Sequence, residues 1–197
     1  MAGVVAAAIV LGAGTWFMLS REGGPLHRPD VPRFSFQVVE VGAAGVTGGA
    51  HRAALGPAVD AIRQTLDALY VGGFIDPGRW ANGEFPALAD AFAGDATARA
   101  REDVADLTLG PAAEEVSSVN PIGGRLDVRF LLGDEGNPFA AWATTVFRAR
   151  GVAEGGDGLA IEHRGRYLLR PVEDRWLIVG YDVTGRLRPG PPARATP

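Results

Sequence analysis

The 197-residue chain contains no cysteine and no lysine. Without cysteine there is no disulfide, no thiolate nucleophile and no Cys-based zinc or iron–sulfur site. Without lysine there is no Schiff base and no lysine to hold a nucleotide phosphate. Histidine is scarce as well. His27, His51 and His163 are the whole supply, which argues against a His-rich metal site. No metal and no cofactor is therefore expected. All 19 basic residues are arginine, against 23 Asp and Glu, for a net charge of −4. Nucleic-acid-binding domains are normally basic, so nucleic acid is not an expected partner. Apolar residues make up 47% and charged residues 21%, the mix of a chain that folds around one core with appendages.

What the chain does have is an uncharged run from Ala2 to Ser20. A helix over that run is about 28 Å long at 1.5 Å per residue, close to the hydrocarbon thickness of a bilayer. Trp16 and Phe17 stand near its end, and Arg21 and Glu22 stop it. It has no polar face, so an amphipathic helix packed on a core does not fit. Residues 1–20 read as a single transmembrane anchor or as a cleaved signal peptide. Trp16, Phe17 and Met18 stand where a small-residue cleavage site belongs, which favours the anchor. By the positive-inside rule, Arg21, Arg28 and Arg33 hold the domain in the cytoplasm. The layout of one anchor, a stalk and one domain favours the opposite orientation, an extracytoplasmic domain on the cell membrane.

Residues 21–56 read as a stalk or linker with a short strand. Three Pro and two Gly lie between Arg21 and Pro32, which suits a stalk. Phe34–Val41 is rich in β-formers. Gly42–Gly56 is Gly/Ala-rich, without nucleotide-loop spacing. From Pro57 the period becomes helical: Val59, Ile62, Leu66, Leu69 and Tyr70 share one face, and Gly72-Gly73 reads as the stop. Asp76-Pro77 reads as a cap and first turn, Pro86 starts a second helix, and Asp95 reads as the cap of a third, Ala96 to Leu107. From about residue 113 the period is two. Leu126, Val128 and Phe130 alternate with Arg125, Asp127 and Arg129. Three further strands follow through short turns, ending in Arg175–Val183. Short turns imply antiparallel neighbours. The fold class is α+β: about three helices packed on a curved antiparallel sheet over residues 57–185. Residues 186–197, rich in Pro and Arg, read as a disordered tail.

This order, and the closing hairpin Gly165-Arg-Tyr-Leu-Leu-Arg-Pro-Val-Glu-Asp-Arg-Trp-Leu-Ile-Val-Gly-Tyr-Asp-Val183, resembles the nuclear transport factor 2-like superfamily. That superfamily includes ketosteroid isomerase, polyketide cyclases and many non-enzymatic scaffolds. With an anchor and a stalk, the chain looks like two of its groups. One is the membrane-anchored proteins associated with mycobacterial-type cell-entry transporters. The other is the scaffold components of conjugation and type IV secretion machines. The resemblance implies a cone-shaped domain in a bacterial envelope complex, with protein partners and a possible homodimer.

Two functional readings follow. The first is a non-catalytic scaffold. Its partner-contact candidates are sheet arginines on polar strand positions: Arg129, Arg148, Arg164 and Arg166. The simpler account of these is a solvated face with cross-strand ion pairs. Residues 121–185 carry eight Arg against nine acids, and residues 56–120 four against eleven. The second is a small-molecule pocket of isomerase or cyclase type, for which Tyr70, His163, Tyr167 and Asp182 must converge. A histidine there serves as a base near neutral pH. The simpler account of Tyr70 and His163 is satisfied core packing, and that of Trp80 and Trp176 is core.

Overall fold

A computed structural model describes residues 33–44, 55–80 and 84–190. The anchor or signal at 1–20, the stalk up to residue 32, the Gly/Ala-rich stretch 45–54 and residues 191–197 of the expected tail lie outside the described residues. Among the described residues, no helix is long and apolar enough to cross a membrane.

One five-stranded sheet carries the domain, in the order β1-β2-β3-β4-β5. The strands are β1 (Gln37–Ala43), β2 (Val116–Leu132), β3 (Pro138–Ala153), β4 (Gly158–Val172) and β5 (Arg175–Pro189). The last four form the expected antiparallel meander. Two expectations are corrected at its edges. The strand assigned to the linker is the first strand of the sheet, and it pairs parallel to β2, Val38 opposite Leu126 and Val41 opposite Val128. The sheet is therefore mixed rather than antiparallel. The parallel pairing follows from the connection, since the whole helical segment separates β1 from β2. β1 is also held by the first helix, α1 (Gly56–Tyr70), because Asp67 accepts from the Phe36 amide (2.8 Å) and the Ser35 hydroxyl (2.6 Å). At the other end, Arg186–Pro189 belongs to β5 rather than to a disordered tail; Leu187 stands opposite Ile161 and Pro189 opposite Leu159.

The helices lie on one face of this sheet: α1 (Gly56–Tyr70), α2 (Pro86–Ala91), α3 (Asp95–Glu102) and α4 (Val104–Leu107). Pro57 opens α1, and Val59, Ile62, Leu66, Leu69 and Tyr70 are its buried stripe. Gly72-Gly73 does not stop the chain; it widens into a π-helical turn over Val71–Ile75, closed by Asp76 N–H to the Val71 carbonyl. The reason for glycine is close approach, since a Cβ on Gly72 meets the Ala87 methyl at 2.5 Å. Asp76 accepts from the Gly78 amide as a turn residue. Asp95, by contrast, is the first residue of α3 and makes no capping bond; Gly94 holds the cap position at φ 60°. Trp80 and Trp176 are core. The inward strand positions, among them Leu126, Phe130, Phe147, Ile161, Tyr167 and Ile178, meet the helices in one continuous apolar core.

Candidate functional site

The inner face brings three of the four pocket candidates together. Tyr70 ends α1; His163 and Tyr167 lie four residues apart on the same inward row of β4. The Tyr70 hydroxyl is 2.7 Å from His163 Nδ1, 2.7 Å from Thr145 Oγ1 and 3.1 Å from Tyr167 Oη. His163 Nε2 is 2.9 Å from the Asp106 carbonyl. A carbonyl only accepts, so Nε2 carries the imidazole proton and Nδ1 accepts from the Tyr70 hydroxyl. Tyr70 oxygen then accepts from Tyr167 and Thr145. Every polar atom of the cluster has a partner, as burial demands. Thr145 on β3 was not anticipated; it stands opposite Gly165 in the register, between the rows of His163 and Tyr167.

Gly165 is the device that assembles this cluster. A Cβ there would overlap the Tyr167 ring. The bare backbone lets the ring lie back along β4, which carries its hydroxyl to Tyr70. A glycine between inward positions of an otherwise β-rich run is the one sequence signal for it.

The cluster is dry. Tyr70, Thr145 and Tyr167 have no exposed surface and His163 has 1%. Phe36, Phe74 and Phe147 pack on the Tyr70 ring at centroid distances of 4.8 to 5.4 Å. Burial pushes the His163 pKa down to about 4. Burial also raises the Tyr70 and Tyr167 phenols above their ordinary range, Tyr167 further through its neighbour Tyr70. Around neutral pH the imidazole is uncharged and both phenols keep their protons. The arrangement closes hydrogen bonds among its own members and offers none to a substrate.

Asp182 is not part of it. The β4–β5 register shifts between Leu168 and Leu169, which stand opposite Gly180 and Ile178. Val179 is thus an extra residue, and it changes the phase of β5. Ile178 and Tyr181 both face inward, and Asp182 lies exposed on the opposite face, across from Arg166. Tyr181 is the inward residue; its hydroxyl donates to Asp103 (2.8 Å) and Arg99 stacks over its ring at 4.5 Å. The pocket reading, in which Tyr70, His163 and Asp182 share a cavity, is corrected on this point.

An opening among the described residues lies elsewhere. A groove of about 560 Å³ lies between α1, α2 and the β4–β5 turn, lined by Gln64, Arg79, Asp90, Asp174, Arg175 and Trp176 with small apolar residues between them. Arg175 is engaged across it by donating to the Asp90 carbonyl (2.7 Å). Among the described residues no cluster of His, Asp and Glu has metal-site geometry.

The second feature is the outer sheet face, which no described helix covers. It carries Arg125 and Arg129 on β2, Arg148 and Arg150 on β3, Arg164, Arg166 and Arg170 on β4, and Arg186 and Arg188 on β5, all exposed. Four acids share the face: Glu40, Asp127, Glu162 and Asp182. The acids that balance the arginines in the sequence count sit instead in the three turns, as Asp134, Glu135, Glu154, Asp157, Glu173 and Asp174. Cross-strand ion pairs do not form among the described residues; the one ion pair on the face joins Arg164 to Glu162 of the same strand (3.0 Å). The bond from Arg164, with Arg148 and Arg186 nearby, holds the Glu162 carboxyl below its usual range. Arg166 stacks over Trp142 at 4.3 Å, and Trp142, Val146 and Leu168 are half-buried between the charges.

No protein-family model, no curated protein and no solved structure matches this chain.

Proposed function

We propose that this protein is a membrane-anchored, non-catalytic docking domain whose outer sheet face receives a protein partner. The observation that carries the reading is the contrast between the two faces of one sheet. The residues that acid–base chemistry needs are locked into a sealed, self-satisfied network. The opposite face leaves nine arginines, a tryptophan and several aliphatic side chains uncovered. Arginine and tryptophan are the residues most enriched where protein interfaces concentrate their binding energy. The uncharged run at 2–20 supports the anchor. The resemblance to nuclear transport factor 2-like scaffolds supports placement in an envelope complex of the transport or secretion kind, with the domain outside the cytoplasm.

Two measurements test this on the full chain. After alkaline carbonate washing of membranes, the protein stays in the pellet, and a chain with Ala7→Arg and Val10→Arg is released. A photo-crosslinking residue in place of Thr144, at the centre of the outer face, yields a discrete adduct in producing cells. Release of the unaltered chain overturns the anchor; absence of any adduct overturns the docking face. The groove beside Trp176 supports a second reading, a small-molecule site, because its volume falls in the ordinary range for ligand pockets and it mixes polar and apolar lining. A small-molecule screen by thermal shift, with Gln64→Trp as the blocked control, tests that reading.

A further inference from the structure

The charges of this domain are sorted by layer. The outer sheet face holds nine arginines and four acids, whereas residues 56–120, which build the helix layer, hold four arginines and eleven acids. The two layers lie on opposite sides of the core. A face so rich in one sign repels its own copy when the two are placed face to face, which disfavours a symmetric sheet-to-sheet dimer. It also does not suit a uniform polyanion. Asp127 and Asp182 lie on either side of Thr144 and Arg166 in one cross-strand row, and Glu162 lies one strand in from the β5 edge. A bilayer or a phosphate backbone meets like charge at each of these. The matching surface is a protein that is acidic overall and carries a few cations, and such a surface exists on the other side of this same molecule. On α3 and its end, Asp95, Glu102 and Asp106 are exposed with Arg101 among them, while the exposed Arg99 is paired to Asp103 (3.0 Å). Asp95 and Glu102 join no ion pair among the described residues.

We propose that the chain associates with itself head to tail, the basic outer sheet face of one copy receiving the acidic helix layer of the next. Such an interface uses two different surfaces on opposite sides of the subunit, so it builds rings or rows rather than a closed dimer. Trp142, with Arg166 stacked on it, stands in the middle of the receiving face, and the surrounding arginines set the register and the rate of encounter. The inference rests on the reading of the outer face as a docking surface and names its occupant.

Sedimentation velocity of the full chain in mild detergent tests it, at about 20 mM and about 500 mM salt, where screening shortens the range of the interaction several-fold. The expected result is concentration-dependent association at low salt, with an association constant at least about tenfold lower at high salt. Arg129→Glu with Arg148→Glu gives a monomer, and so does Asp95→Lys with Glu102→Lys. Both variants keep the near-ultraviolet circular dichroism of the parent. Mixed in equal amounts, they associate again, because each retains one of the two surfaces and the reversed charges of the altered pair attract each other. A monomer under all conditions overturns the proposal. So does association that only the arginine pair abolishes, which means a sheet-to-sheet dimer, and so does association that neither pair alters, which places the contact elsewhere. If Thr144 adducts form with a different protein while the purified chain stays monomeric, the docking face stands and its occupant is not a second copy. If no adduct forms, both readings fall.

Discussion

The two faces of the sheet are made by the same strands at alternating positions, yet they obey opposite rules. On the inner face, polar groups are admitted only when every donor and acceptor has a partner, and the Tyr70–Thr145–His163–Tyr167 cluster meets that condition. On the outer face, nine arginines stand with one ion pair among the described residues, because water satisfies them at little cost. A histidine on the first face is a structural element. An arginine on the second is held mainly by water. The same residue types thus carry different meaning according to strand phase alone.

The comparison is broken most severely by filling the space that Gly165 leaves. Gly165→Ala forces the Tyr167 ring out of place, and overpacking together with the lost hydrogen bond costs roughly 3 kcal/mol or more. Chemical denaturation measures this, with an unchanged slope if the unfolded state is unaffected. Tyr70→Phe keeps the ring and removes the hydroxyl. It leaves His163 Nδ1 and Tyr167 short of a partner, while Thr145 keeps the Gly165 carbonyl (3.4 Å), for a loss of about 2–3 kcal/mol.

Acid acts on the same cluster. Unfolded His163 titrates near 6.5, and in the fold its pKa is down at about 4. Between those values the unfolded chain binds a proton that the folded chain refuses. The contribution is complete above about pH 6.5 and is lost as pH falls toward 4. The loss is at most about 3 kcal/mol. Denaturant titrations at pH 7.5 and 4.5 read it, and His163→Gln flattens that part of the profile. Asp67, whose carboxyl is raised by burial despite the bonds from Ser35 and Phe36, titrates in the opposite sense and remains in the variant.

A smaller effect is expected where β1 meets α1. Asp67→Ala removes the two bonds that hold Ser35 and Phe36, costs about 1–2 kcal/mol, and speeds amide exchange in Gln37–Ala43 ahead of the other strands. The smallest effect belongs to the outer face. Arg129→Gln and Arg148→Gln each change stability by no more than about 0.5 kcal/mol, although both lie in the proposed contact. A loss of 2 kcal/mol at either position would show that the face supports the fold, and the contrast between the faces would weaken.

Much of the fold was legible in the sequence. The stripe Val59–Ile62–Leu66–Leu69–Tyr70 and the period-two strands report local geometry, and local geometry is set by near neighbours in the chain. The edges were less legible. Phe34–Val41 reads as a strand, but nothing in it says that the strand crosses more than seventy residues to lie parallel beside β2. Arg186–Pro189 reads as a tail because its composition is that of loops, and only pairing with β4 makes it strand. For the candidate site, the strand alternation already placed His163 and Tyr167 on one row. It could not place Asp182, because a single extra residue at Val179 inverts the phase.

The sequence by itself determined the residue inventory, and with it the absence of thiol and lysine chemistry, the α+β order of elements and the inward-facing rows. These follow from composition and from short periods. Tertiary structure alone decided which rows meet across the core, that the His163 cluster is sealed, and that arginines and acids nearly equal in number along residues 121–185 are separated in space. Charge counted along a chain averages over turns and faces. Folding sorts it, because alternate strand positions point to opposite sides of a sheet and turns project beyond its ends.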